Sequence, residues 1–137
     1  MILVDAGPLV ALFDPRDKWH SRVRRVLQSL DGPVCTTLPV LTESFYMLGP
    51  ASAGAARLRD YIERGAIDVW QSSRADRTRM FELMEAYADQ EMDLADASLV
   101  VAAETLPAHR IFTLDRNDFE TYRIRRGHQY HSFEIVS

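Results

Sequence analysis

The chain has 137 residues, 47% of them hydrophobic and 26% charged, and a formal net charge of -4. That composition predicts one compact domain over residues 1–137 and excludes a disordered chain or a protein that coats nucleic acid by bulk positive charge. A single cysteine excludes a disulfide framework, and the lack of a long apolar run or a basic leader predicts a cytoplasmic protein with no membrane contact.

Ile2-Leu3-Val4 is a short apolar run that ends on Asp5, and Ala6-Gly7-Pro8 then turns into a helix. The pattern predicts a buried parallel strand with an acid at its carboxyl end, followed by a helix with proline in its first turn. That helix runs through Leu12, and Asp14-Pro15 ends it. Asp17 is placed to cap a second helix, in which Trp19, Val23, Val26, Leu27 and Leu30 recur at helical spacing before Gly32-Pro33. His20, beside Trp19, reads as a packed or hydrogen-bonded side chain rather than a catalyst.

Val34 to Thr37 predicts the second strand, with Cys35 as a small core residue. Pro39 opens a helix carrying Val40, Leu41, Phe45, Tyr46 and Leu48, and Glu43 is its only charge. A glutamate one turn into a helix that follows a strand lies near the strand's carboxyl end; the competing reading is an exposed residue on an amphipathic helix. Gly49 to Gly54 reads as a flexible connection. Ala55, Leu58, Tyr61 and Ile62 mark a fourth helix that stops at Gly65, and Ile67 to Trp70 alternates as an edge strand does. Ser73 and Asp76 form a capping-box pattern ahead of a helix whose expected core face is Met80, Phe81, Met84, Tyr87 and Ala88.

Leu94 to Glu104 is apolar nearly all round apart from Asp96 and Ser98, so it belongs in an interior. An ionised carboxylate there is costly unless paired or bound to a cation, and no neighbour in sequence supplies a partner for Asp96. Asp93 shares its helix face and reads as an N-cap or a further ligand. Ile111 to Leu114 predicts another buried strand, ending on Asp115. Asn117 and Asp118 follow on a turn, Phe119 and Tyr122 give a short amphipathic element, and Phe133 to Val136 predicts the last strand. His128 and His131 lack the further ligands that a zinc site needs. The clusters Arg22-Arg24-Arg25, Arg74-Arg77-Arg79 and Arg123-Arg125-Arg126 are candidates for a substrate rim or for solvated faces.

The element order describes a three-layer α/β domain. Asp5, Glu43, Asp96 and Asp115 come from four elements, yet each lies at a strand's carboxyl end or a helix's beginning, where open parallel sheets bind ligands. Two bare carboxylates about 5 Å apart repel by roughly 3 kcal/mol at an effective dielectric near 20, and a divalent cation would reverse that. Hard oxygen donors suit Mg2+ or Mn2+.

Val4-Asp5-Ala6-Gly7-Pro8, Thr42-Glu43, Asp93 to Val100 and Thr113 to Phe119 together resemble, in order, the motifs of PIN-domain ribonucleases, and most of all the VapC toxins of bacterial toxin–antitoxin pairs. The resemblance implies a PIN-like fold with a parallel five-stranded sheet in the order 3-2-1-4-5, and Mg2+- or Mn2+-dependent cleavage of single-stranded or loop RNA. It places the catalytic and metal-holding quartet on Asp5, Glu43, Asp96 and Asp115, with Asp118 as an accessory acid and Thr113 as a polar neighbour; Asp93, from its position at the helix start, is a further accessory candidate. Asn117 is a departure, an extra residue between Arg116 and Asp118 compared with shorter versions. A homodimer and a small cognate antitoxin are implied as partners, the antitoxin laying a helix in an apolar groove for which Phe45, Tyr46, Met47 and Leu48 with the fourth helix are candidates.

Three other readings are open to these acids. A magnesium-dependent phosphatase with an aspartyl nucleophile generally has a second aspartate two residues on, where this chain has Gly7. A receiver domain requires a lysine near its last strands, and the sole lysine is Lys18. A catalytically silent PIN scaffold normally lacks one or more of the acids, and all four are present.

Overall fold

The computed structural model describes residues 1–137. Five short strands form a parallel sheet: β1 (Ile2–Val4), β2 (Val34–Thr37), β3 (Asp68–Trp70), β4 (Arg110–Phe112) and, last in the chain, β7 (Glu134–Val136). They lie in the order β3-β2-β1-β4-β7, every neighbouring pair parallel. This is the expected order, with the fifth sheet strand in the region predicted for it. β1 and β4 are central, so their near-continuous apolar sequences are covered on both faces. Ile2, Leu3, Val4, Ile111 and Phe112 are all fully buried or nearly so.

Between β4 and β7 the chain makes a separate antiparallel hairpin, β5 (Arg123–Arg126) and β6 (Gln129–Ser132). The sequence gives it no apolar alternation: only Ile124 is buried, and β6 is exposed throughout. Gly127 turns it with a φ of 62°, a value glycine adopts without steric cost.

Helices cover both faces of the sheet: α1 (Ala6–Phe13), α2 (His20–Ser29), α3 (Leu38–Leu48), α4 (Ala53–Glu63), α5 (Arg74–Ala86), α6 (Leu94–Thr105) and α7 (Arg116–Thr121). α6 is the interior helix its composition demands, with eight buried residues from Ala95 to Ala103. The Ser73–Asp76 capping box opens α5. His20 accepts its bland reading: Nδ1 lies 2.7 Å from the Ala11 carbonyl.

Three local expectations are corrected. Phe81 is exposed rather than core, because α5 turns only Met80 and Leu83 fully inward. Ala88 lies in a short 3-10 turn beyond α5. Gly54 belongs to α4, which begins at Ala53 with Ser52 as its cap; the Ser52 hydroxyl accepts from Ala55 N at 3.0 Å. A Cβ at position 54 would lie 2.5 Å from the Phe13 carbonyl oxygen, so glycine is what lets α4 close on the end of α1.

Candidate active site

The carboxyl ends of β1 and β4 bring Asp5 and Asp115 to one edge, and Thr113 lies between them. Fully buried, the Thr113 hydroxyl donates to Asp5 Oδ2 at 3.0 Å and accepts from the Asp115 backbone N at 3.0 Å. Asp5 Oδ1 accepts from Ala6 N at 2.8 Å and so caps α1. One hydroxyl and one helix end therefore set the rotamer of the first acid.

Helix starts supply the rest. Asp93 caps α6, its Oδ1 accepting from Asp96 N at 2.8 Å, while Asp115 precedes the first turn of α7, which contains Asp118. The N-terminal ends of α1, α6 and α7 thus carry acids, in keeping with the partial positive charge of a helix start. Glu43 sits at the exposed first turns of α3. A buried hydroxyl chain fixes α3 against α6: Thr37 Oγ1 lies 2.6 Å from Ser98 Oγ, Ser98 donates to the Ala95 carbonyl at 2.6 Å, and Val40 N donates to Thr37 Oγ1 at 3.4 Å. That chain accounts for the one hydroxyl in an otherwise apolar stretch of α6.

Asp96 has a partner that its sequence neighbours do not provide. The Tyr122 hydroxyl donates to Asp96 Oδ2 at 2.9 Å from 26 residues away. The phenol ring is fully buried between Tyr87 and Phe119, with edge-to-face contacts to both, and burial beside Asp96 pushes its pKa far up, so it remains a donor.

The acids press on one another. Burial raises Asp5 to about 6, with Glu43 and Asp93 adding to the rise. Asp96 is raised to about 7 by burial and by the Asp93 and Asp5 charges, against the pull of the Tyr122 hydrogen bond. Asp118 rises to about 6 through burial and a hydrogen bond shared with Asp115. Glu43 moves up through burial and Asp93. Asp93, read equally as a cap and as a further acid, does the capping and also faces the other carboxyls.

No arginine, lysine or histidine forms an ion pair with any of these six acids. The arginine clusters are occupied elsewhere in part: Arg79 pairs with Glu104 through two hydrogen bonds of 2.9 and 3.1 Å, Arg123 donates to the last carbonyls around α7, and Arg126 donates to Ala103 and Ala108 carbonyls at the end of α6. As the side chains stand, no three His, Cys, Asp or Glu residues are drawn tightly enough together to hold a metal ion. The donor set nevertheless suits a hard divalent cation: it is all carboxylate oxygen, and the raised acids would be relieved by positive charge.

Comparison with known proteins places this geometry in context. The model of the PIN domain family matches residues 2–124. Ribonuclease VapC26 of Mycobacterium tuberculosis is 27% identical over 125 residues, covering 89% of this chain and 92% of that protein. Among solved structures the chain is similar to Mycobacterium tuberculosis VapC20, a toxin that cleaves the sarcin-ricin loop, with a TM-score of 0.74 and 20% identity over 86% of this chain and 94% of that one. It is similar also to a toxin-antitoxin complex from Klebsiella pneumoniae, with a TM-score of 0.69 and 18% identity over 88% and 92% of the two chains.

Proposed function

This chain belongs to the PIN-domain family, and on that premise we propose that it is a metal-dependent endoribonuclease, the toxin of a VapBC-type pair, cutting single-stranded or loop RNA in the cytoplasm. The observation that carries the reading is the cluster of six acids without a single cationic side-chain partner. The likeness to a curated ribonuclease along most of both chains supports it.

Asp5, Glu43 and Asp96 would hold Mg2+ or Mn2+, with Asp115 completing the site directly or through water and Asp93 and Asp118 as accessory acids. Bound there, the ion supplies Lewis acidity for in-line attack of water on phosphorus and for departure of the 3′ oxygen. Thr113 aims Asp5 and ties it to the start of α7. Tyr122 favours the ionised form of Asp96 by donating to its Oδ2, opposing the burial that raises it to about 7. The buried Thr37–Ser98 contact holds the helix of Glu43 in register with the helix of Asp96.

Partners follow in the same reading. Phe45 and Ile62, with Arg59, Asp60 and Glu63 at the rim, line a cavity of about 490 Å³ between α3 and α4, which would take a side chain of a small antitoxin. Tyr46, Met47, Leu38 and Leu94 are exposed beside Glu43 and Asp93 and would meet a second copy in a homodimer. Light scattering of the purified chain, with and without Tyr46→Glu, checks the dimer: the variant is expected to be monomeric.

The second reading, a PIN scaffold that binds RNA without cutting, is favoured by the spacing of the acids, which leaves no three of them at metal-holding separation. One experiment separates the two. RNAs with single-stranded and hairpin regions are incubated with the folded, antitoxin-free chain in Mg2+, Mn2+ or EDTA, beside Asp5→Ala. Cutting that needs the metal and vanishes in the variant supports the nuclease; binding without cutting under either metal leaves the scaffold.

A further inference from the structure

The ten residues Arg123 to Ser132 contain three arginines, two histidines and no acid, in a chain whose net charge is -4. All but the first two lie beyond the stretch matched by the family model. They form the β5–β6 hairpin, whose first strand packs against α6. Just before it Tyr122 touches Asp96, and within it Arg125 N donates to Glu104 Oε2 at 2.8 Å and Arg126 reaches the Ala103 and Ala108 carbonyls. Eight helical residues separate Asp96 from Glu104, about 12 Å along the axis. The hairpin therefore leads away from the acid cluster over roughly the length of three or four stacked nucleotides.

At the far end, the hairpin, α5 and α6 enclose an open cavity of about 690 Å³ with a predominantly polar lining. Its charges are unequally engaged. Both acids in the lining are engaged: Asp76 accepts from Ser73 N at 2.8 Å in the cap of α5, and Glu104, nearly buried, accepts both Arg79 hydrogen bonds and the Arg125 amide. The Arg125 guanidinium and the His128 ring have no side-chain partner, and Arg125 is the cross-strand neighbour of Tyr130, 66% of which is exposed. A free guanidinium paired with an exposed aromatic ring matches the phosphate and the base of one nucleotide. Arg74 and Arg77, near the same end of α5, are also exposed and form no ion pair.

We propose that this hairpin is a second RNA-binding subsite, in which Arg125 and His128 hold a backbone phosphate and Tyr130 stacks on an unpaired base several nucleotides from the cut. The inference rests on the RNA reading of the acid cluster but not on cleavage. The hairpin supplies the positive charge that the acid cluster lacks, and the sequence-tolerant stacking of Tyr130 selects single strands over duplex.

The test is a binding measurement in EDTA, so that cutting plays no part. Anisotropy of a fluorescein-labelled unstructured RNA of about twelve nucleotides is followed with the full chain, Arg125→Gln, Tyr130→Ala and Tyr130→Phe, each shown to be folded by circular dichroism. Arg125→Gln and Tyr130→Ala are expected to raise Kd five- to tenfold, Tyr130→Phe to bind as the native chain does, and Arg125→Gln to reduce the salt slope by about 0.7. With Mg2+ or Mn2+ present, the first two variants should raise KM for the long RNA while leaving kcat on a tetranucleotide unchanged. Native binding without cleavage would remove the nuclease reading and keep this subsite. Unchanged Kd and KM in both variants would overturn it, and so would loss of a copurifying protein partner with RNA binding intact, which would make the hairpin a protein surface.

Discussion

Tyr122 donates its hydroxyl to Asp96 Oδ2 across 2.9 Å, linking the residue before the hairpin to the first turn of the central helix. A hydrogen bond to the ionised form favours ionisation, so this phenol opposes the burial that brings Asp96 to about 7. Tyr122→Phe keeps the packing against Tyr87 and Phe119 and removes only that donor. Asp96 should then titrate higher by roughly one to two units, given that hydrogen bonds to charged groups contribute about 1.5–3 kcal/mol. The pH profile of cleavage should shift upward with it; an unshifted profile would show that Asp96 does not need the phenol.

Without a cation, the acid cluster makes stability fall as pH rises. Asp5, Asp96 and Asp118 have folded-state values of about 6, 7 and 6, against 3.8 for the ordinary carboxyl. The folded chain holds these protons to higher pH than the unfolded chain does. Their contribution is therefore fully present below pH 3.8 and lost as pH climbs through 6 to 7. In EDTA, Tm should be higher at pH 5 than at pH 7.5. Mn2+ should raise Tm at pH 7.5 and do so much less at pH 5, where protons compete for the same oxygens. A Tm that rises with pH in EDTA would contradict the cluster as described.

Thr113→Val preserves volume but removes the group that donates to Asp5 and accepts from Asp115 N. It removes two hydrogen bonds of a buried hydroxyl, each worth about 0.5–1.5 kcal/mol, and the loss is read in denaturant unfolding. Cleavage should fall at least tenfold, since a displaced site residue loses catalytic positioning steeply. Thr113→Ser should retain most of both properties, and an active Val variant would show that Asp5 needs no such support.

Gly54→Ala addresses packing away from the acids. The added methyl would meet the Phe13 carbonyl at 2.5 Å, so α4 must withdraw from α1. Chemical denaturation is expected to show a loss of about 1–3 kcal/mol, the usual cost of overpacking, with metal-dependent cutting by the folded protein unchanged.

Much of the fold was legible because its signals are local. Short apolar runs ending in Asp5 and Asp115 marked the central strands, and the all-round apolar sequence of Leu94 to Glu104 marked the buried helix. Four acids, Asp5, Glu43, Asp96 and Asp115, could be assigned to one sheet edge from the sequence because strand ends and helix starts share that edge in a parallel sheet. Tyr122 could not be found this way: a tyrosine between Phe119 and Ile124 looks like any core aromatic, and only the chain's return beside α6 aims its hydroxyl at Asp96. The hairpin was missed because a two-stranded exposed ribbon with charges on both strands carries no period-two apolar signal. Gly54 was misread as a connector because the carbonyl it accommodates lies 41 residues earlier, at Phe13.

The bond from Thr113 to Asp5 spans 108 residues. At a synthesis rate of about 5–20 residues per second, the first acid is made roughly 5 to 20 seconds before the hydroxyl that orients it. Throughout that interval the nascent chain carries Asp5 without β4, Asp115 or the Tyr122 contact to Asp96. The acid centre thus cannot assemble until Tyr122 has been made, and until then the chain carries its first acid without the hydroxyl that orients it.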